Sequence, residues 1–423
     1  MHKRTMAGIF LSLLLISVEA AEPLALAEAE RLALERDAVL AALKAEARAL
    51  REAAVADGTL PDPRLKLGAM SVPVDTFDLD QEPMTQLQVG VQQMFPPGDT
   101  LAIRSRRTAR LAAAREAAVA ERIRRVRRDV RADWLETFYW DAAERVVRES
   151  RELFRQLVNI TQAHYAAGRQ NQQDVTRAQL ELGLLDDREI RIQTMRERQR
   201  ARLAKWIGGE HAGRPLTPEI PPLPEPPARA DIAAVLGEHP VLKVADARVA
   251  AAEDSVALAR QAYRPGWMLD VTYGFRDGRN PNGTERSDFI SAMVSLDLPL
   301  FTGNRQDRRV AAARRRLDAA TDTRVERRRE LVRMLEADYA AWTRLTERVD
   351  YYARHLVPKA AENAAAALHA YQSDTGDFTQ LMRARITELE TRLQYVRLHV
   401  DHIKAQARLL YLAGEDGKSD RGE

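Results

Sequence analysis

By residue type, few positions in this 423-residue chain could do chemistry. The segment "HVDH" sets His399 and His402 about one helical turn apart with Asp401 between them. At that spacing two imidazoles can share a metal ion, or they can serve as exposed or interhelical polar packing. Five methionines, Met70, Met84, Met94, Met268 and Met293, fall on the polar parity of alternating segments. Their thioethers are soft ligands suited to Cu(I), although methionine is also a common gap-filler. The chain has no cysteine, no GxSxG, no P-loop and no dinucleotide fingerprint, so no nucleophile stands beside a base. An enzyme is therefore not expected, nor a cofactor or a dedicated metal centre. The missing cysteine also excludes disulfides, thiolate metal sites and a lipidated N-terminal Cys.

The composition describes what must carry such residues. Charged residues make up 30% of the chain and aromatics 6%, the balance of long helices rather than of a compact sandwich. A net charge of +3 is too small to argue for nucleic acid. Arginine lies beside Glu and Asp, as in "RESRELFRQL", which reads as solvated helix faces. Residues 1–21 read as a secretory signal peptide: basic "MHKR", apolar "MAGIFLSLLLISV", then small residues with cleavage after Ala20 or Ala21. No later stretch reaches the roughly 18 apolar residues of a membrane-spanning helix.

Self-comparison shows a duplication at an offset near 205. Gly98 in "FPPGDTLAIRSRRTARLAAA" matches Gly303 in "PLFTGNRQDRRVAAARRRLDAA", and Tyr165 to Ala178 has the same spacing as Tyr371 to Ala384. The first repeat covers 22–213, with a helix over 24–57, strands over 64–72 and 85–95, and long helices over 99–165 and 173–207. The second covers 230–414, with a helix over 231–263, strands over 267–276 and 288–298, and long helices over 305–371 and 378–413. A Pro-rich extended connector, 214–229, joins them, and 415–423 reads as a disordered tail. Helices near 65 residues would be about 100 Å long. They must pack on neighbours in coiled-coil fashion, as Val119, Ile123, Val126 and Val130 suggest.

All four strands alternate. Leu87, Val89 and Val91 oppose Gln86, Gln88 and Gln92, and Trp267, Leu269 and Val271 oppose Asp270 and Thr272. Ile290, Val294 and Leu296 oppose Ser291, Met293 and Ser295, reading Met293 with the polar set. About ten residues with one apolar and one polar face suit a barrel between lipid and water, or a soluble antiparallel sheet with one buried face. Four strands cannot close a barrel, and an open edge in lipid is costly. Two chains give eight strands and a filled interior; three give twelve and a water-wide lumen. A trimer is therefore expected.

The signal segment, the duplicated halves, the connector, "LPDPRL", "QQMFPPGDTLAIR" and the paired turns together resemble the TolC-like outer-membrane efflux family over nearly all of the mature chain. "PDP" and "FPPGD" look closest to its heavy-metal branch, which expels copper, silver, cobalt, zinc or cadmium. The resemblance implies a mainly α protein with a membrane β-barrel. Three copies would form a 12-stranded barrel in the outer membrane of a Gram-negative bacterium, continued by a periplasmic α-helical barrel. Its partners would be a periplasmic adaptor and an inner-membrane pump of the resistance-nodulation-division type. It also implies a gate at the periplasmic helix turns, which by position would use Tyr371, Gln380 and Arg383 with Tyr165, Asp174 and Arg177. Gln380 and Arg383 stand where family members often carry carboxylates, so an acidic ring would fall to Asp374 and Asp377; those two also suit ordinary turn and N-cap chemistry. Gln86, Gln88, Gln92, Asp270, Thr272 and Met293 would line the lumen. Pro96, Pro97, Gly98, Pro299 and Gly303 would mark the barrel-to-helix junctions. Rival readings are a channel for drugs or other small molecules, a type I secretion duct, and a secreted periplasmic coiled-coil scaffold.

Overall fold

The computed structural model describes residues 22–168, 171–373 and 375–414. The expected signal segment, Asp374 and the expected tail lie outside them. The elements are α1 (Leu26–Arg36), α2 (Ala38–Asp57), β1 (Arg64–Met70), β2 (Gln86–Phe95), α3 (Thr100–Ala166), α4 (Gln172–Ile207) and α5 (Gly209–Ala212). After the connector come α6 (Arg229–Val235), α7 (Pro240–Gln261), β3 (Trp267–Phe275), β4 (Phe289–Leu296), α8 (Gln306–Tyr351), α9 (Val357–Gln372) and α10 (Phe378–Ala413).

Three expected helices are interrupted, each for a local reason. The helix over 24–57 breaks at Asp37, which takes extended backbone (φ −72°, ψ 100°) and accepts a hydrogen bond from the Leu40 N–H. This is N-cap chemistry that starts a new helix. The helix over 231–263 breaks at His239, whose ring caps α7 while Pro240 occupies the first turn. Proline fits there because its missing N–H would have no intrahelical partner. The helix over 305–371 contains a π turn, Tyr352–Leu356, where the Val357 N–H reaches back to the Tyr352 carbonyl. Pro358 follows at once and can donate no helical hydrogen bond. The matching helix of the first repeat, α3, is continuous over 67 residues.

The chain divides into two compact units. One holds residues 22–36, 129–223 and 348–401. Its core contains Val147, Phe154, Leu157, Ile192, Tyr371, Phe378, Leu381 and Leu393. Trp134 is fully buried and donates its indole N–H to the Leu24 carbonyl at 3.2 Å. Leu24 also forms a parallel bridge with Leu216 of the connector. The arginines here are not merely solvated. Arg196 reaches Asp141 and Glu144 from α4 to α3, Arg397 and Arg392 reach Glu136 and Glu149 from α10 to α3, and Arg188 on α4 pairs with Glu390 on α10. Each such pair contributes about 0–1 kcal/mol, so the ladder sets helix register more than it adds stability.

The other unit holds residues 37–128, 224–347 and 402–414. One core cluster joins Ile232, Leu236 and Leu242 to Leu331, Leu335, Leu409, Tyr411 and Leu412. The same unit carries a four-stranded antiparallel sheet in the order β1-β2-β3-β4.

Candidate functional site

The sheet's register decides which residues share a face. Val89 lies between Leu67 and Tyr273, and Tyr273 pairs in turn with Ile290; Val91 lies between Leu65 and Val271. This face is apolar across all four strands apart from Gln93 near one end, and among the described residues nothing covers it, with Leu67 75% and Ile290 78% exposed. Burying one such aliphatic side chain is worth about 1.5–3 kcal/mol, so leaving this face in water is costly.

The opposite face is polar. The register gives one row Arg64, Gln92, Asp270 and Met293, and the next Lys66, Gly90, Thr272 and Ser291. Asp270 is its hub: it pairs with Lys66, accepts from the Thr272 hydroxyl at 2.8 Å and from the Gln92 amide at 3.4 Å. Gln86 and Gln88 lie on the same parity, so all six strand residues read as lumen-lining fall on one face. Glycine serves close approach here: a Cβ on Gly90 would meet the Thr272 hydroxyl at 2.5 Å, and one on Gly274 would strike the Gln86 side chain. Met70, Met94, Met268 and Met293 share this face, with Met94 paired to Met268. Met84 does not, because it sits in the turn before β2 rather than in a strand.

At one end of the sheet Phe95 stacks on Trp267, ring centroids 3.9 Å apart. Pro96 and Pro97 follow, and Gly98 takes φ +52°, where a Cβ would strike the side chains of Gln261 and Arg264. Asp99 accepts the Ile103 N–H with its carbonyl, and its carboxylate goes to Arg264 at 3.0 Å. The second repeat's junction differs. Gly303 has ordinary φ and open space around a would-be Cβ, Pro299 is half-buried, and Leu300 and Phe301 are 73% and 85% exposed.

In the helical unit the two expected gate turns come together: Arg177 donates to the Thr379 hydroxyl at 3.2 Å, and His164 stacks on Tyr371 at 5.8 Å. Tyr371 is 2% exposed and packs on Phe378, so it belongs to the core beneath the turn. Tyr165, Asp377, Gln380 and Arg383 are exposed, while Asp174 and Arg177 are half-buried. His164 was not singled out in the sequence, and only its place one residue before Tyr165 could have signalled it.

The histidine pair does not gather ligands. Asp401 is held by Arg397 at 2.9 Å, His399 stacks on Tyr395 with its ring pushed below the usual imidazole range by burial, and His402 bonds the Thr346 hydroxyl. Among the described residues, no group of three or more His, Cys, Asp or Glu could hold a metal ion. Among them, too, no helix is long and apolar enough to cross a membrane.

Comparison with solved structures gives the fold class first. The outer membrane protein VceC from Vibrio cholerae superposes with a TM-score of 0.78 at 18% identity, over 92% of this chain and 96% of that one. The open-state MtrE outer membrane channel of Neisseria gonorrhoeae gives 0.76 at 16% identity, over 94% and 91%. CusC gives 0.75 at 14%, over 92% and 91%. At such identities the likeness shows the fold alone: that of outer-membrane channels. Sequence then adds a family: residues 232–415, the second repeat, match the family described as outer membrane efflux protein. No curated protein matches the chain in sequence.

Proposed function

We propose that the chain is the outer-membrane channel subunit of a tripartite efflux system. Three copies join their four-stranded sheets into a 12-stranded barrel with the apolar face toward lipid and the polar face toward water. The barrel continues into a periplasmic helical barrel, and cargo arrives from a resistance-nodulation-division pump through a periplasmic adaptor. The observation that carries this reading is the sheet itself: one face apolar but for Gln93 and uncovered among the described residues, the other a connected polar network, and edge strands β1 and β4 with no further strand beside them among those residues. An open edge in lipid leaves backbone groups unsatisfied at several kcal/mol each, and closure with further copies removes that cost. The family match of the second repeat and the shared fold support the same reading.

The gate of this channel is the paired helix turn, with Tyr165, Asp174, Arg177, Asp377, Gln380 and Arg383 at its surface, Asp374 as a further acidic candidate, and Tyr371 as support from below. The cargo class is heavy-metal cations, supported by "LPDPRL", "FPPGD" and the four methionines on the polar sheet face. Single-channel recording of the purified protein in a planar bilayer tests the duct: discrete conductance steps are expected, and protein that neither inserts nor conducts contradicts it. Replacing Asp374 and Asp377 with Asn raises the conductance or abolishes block by divalent cations; an unchanged channel removes them from the gate. Metal tolerance lost on deleting the gene supports the cargo, whereas loss of drug tolerance alone replaces it with small molecules.

A further inference from the structure

The two edges of the sheet end differently at the end where Phe95 and Trp267 stack. Beyond β4 the chain continues as Leu298-Pro299-Leu300-Phe301, with Leu298, Leu300 and Phe301 each at least 66% exposed. At the same end, lined in part by the segment that precedes β1, lies a groove of about 690 Å³ in which Leu60, Pro61, Leu101 and Leu258 stand among the charged Asp57, Asp62 and Arg104. Both features belong to the sheet-bearing unit, one on each flank. From these we infer that Leu300 and Phe301 of one copy fill the groove of the next copy, locking neighbouring subunits at the barrel-to-helix junction.

This inference rests on the proposed closure of the sheet between copies and names the side chains that seal it. The direction of the strands dictates the meeting. β1 and β4 are the free edges, and β1 starts at the end where β4 stops. Antiparallel pairing of β4 with a neighbour's β1 lays the segment that follows β4 beside the segment that precedes β1. The first contains Leu300 and Phe301; the second contains Leu60 and Pro61. A buried phenylalanine removes 150–250 Å² from water, and the groove is large enough to hold such a ring. The two junctions of the duplicated halves thereby take different parts. The first, with Gly98 tight against Gln261 and Arg264, is packed within its own chain; the second leaves its apolar residues for a neighbour.

The absence of native cysteine makes the test clean. Full-length Leu60→Cys/Phe301→Cys protein is oxidised in membranes, and native mass is measured on the detergent-extracted protein. A disulfide forms only where Cα atoms come within about 7 Å. The expected result is a shift of the denatured band to the mass of a cross-linked trimer, reversed by reductant and absent from either single-cysteine variant. A companion variant, Phe301→Ser, keeps the fold and loses trimer on dilution in detergent. A native trimer without the cross-link, and with Phe301→Ser trimers as durable as the parent's, overturns the lock and leaves the channel reading standing; Phe301 is then a lipid contact. A parent protein that is monomeric in detergent and in membranes overturns both.

Discussion

His239 is 1% exposed, and both of its ring nitrogens are committed. Nδ1 accepts from the Val241 N–H at 3.3 Å, so the proton sits on Nε2, which donates to the Tyr411 carbonyl at 3.2 Å. Burial, reinforced by the Arg124 guanidinium and only partly offset by the Tyr411 carbonyl, pushes the imidazole down to about 4. A second proton would remove the helix cap and place a charge beside the Tyr411 ring, 5.0 Å away. Above pH 6.5 the ring is neutral in folded and unfolded chains alike, and its share of stability is whole. Below that, the unfolded chain takes up a proton that the folded one refuses until about pH 4, so stability falls through this window and is level beneath it. The gap is worth about 3 kcal/mol when fully expressed and about 2 kcal/mol at about pH 5, near 30-fold in an opening equilibrium. His239→Asn keeps a good cap and removes the titration. Hydrogen exchange of the amides following Pro240 provides the assay, after correction for intrinsic rates. Between neutral pH and about pH 5 the parent should lose about 30-fold more protection than His239→Asn. Equal pH slopes in the two proteins refute the reasoning.

Other expectations concern packing and the sheet. Trp134→Ala removes a fully buried indole and its bond to Leu24, costing about 3–5 kcal/mol, to be read as a lower urea midpoint of the helical signal. Val89→Lys puts a charge on the apolar sheet face at a cost of about 2–4 kcal/mol and should deplete the protein from the outer-membrane fraction. Gln88→Lys, one residue away on the polar face, should leave the amount in that fraction unchanged and alter ion selectivity. Gly98→Ala forces a side chain into left-handed backbone at about 1–2 kcal/mol and displaces Gln261 and Arg264, lowering the thermal midpoint in detergent; Gly303→Ala should be nearly silent.

Much of the sheet was legible because its code is local. Alternation at period two assigns each side chain a face, and the register confirms the parity of Leu87, Val89 and Val91 against Gln86, Gln88 and Gln92. Helix interruptions were harder. Pro240 and Pro358 are explicit breaker signals that the smooth apolar spacing around them overrode, whereas Asp37 is visible only as one of many acidic residues until its cap is seen. In sequence the arginine ladder looks like solvated surface, because a single helix shows a charge but not the facing helix that pairs it; Arg188 and Glu390 are 202 residues apart. The burial of Tyr371 was invisible for the same reason, since it depends on His164 and Phe378 packing around it.

The central claim, a barrel shared among copies, is tested most directly by native mass spectrometry of the full-length protein extracted from outer membranes in mild detergent. Three chains per particle are predicted. A monomer or dimer that still inserts in lipid and conducts ions would contradict the account.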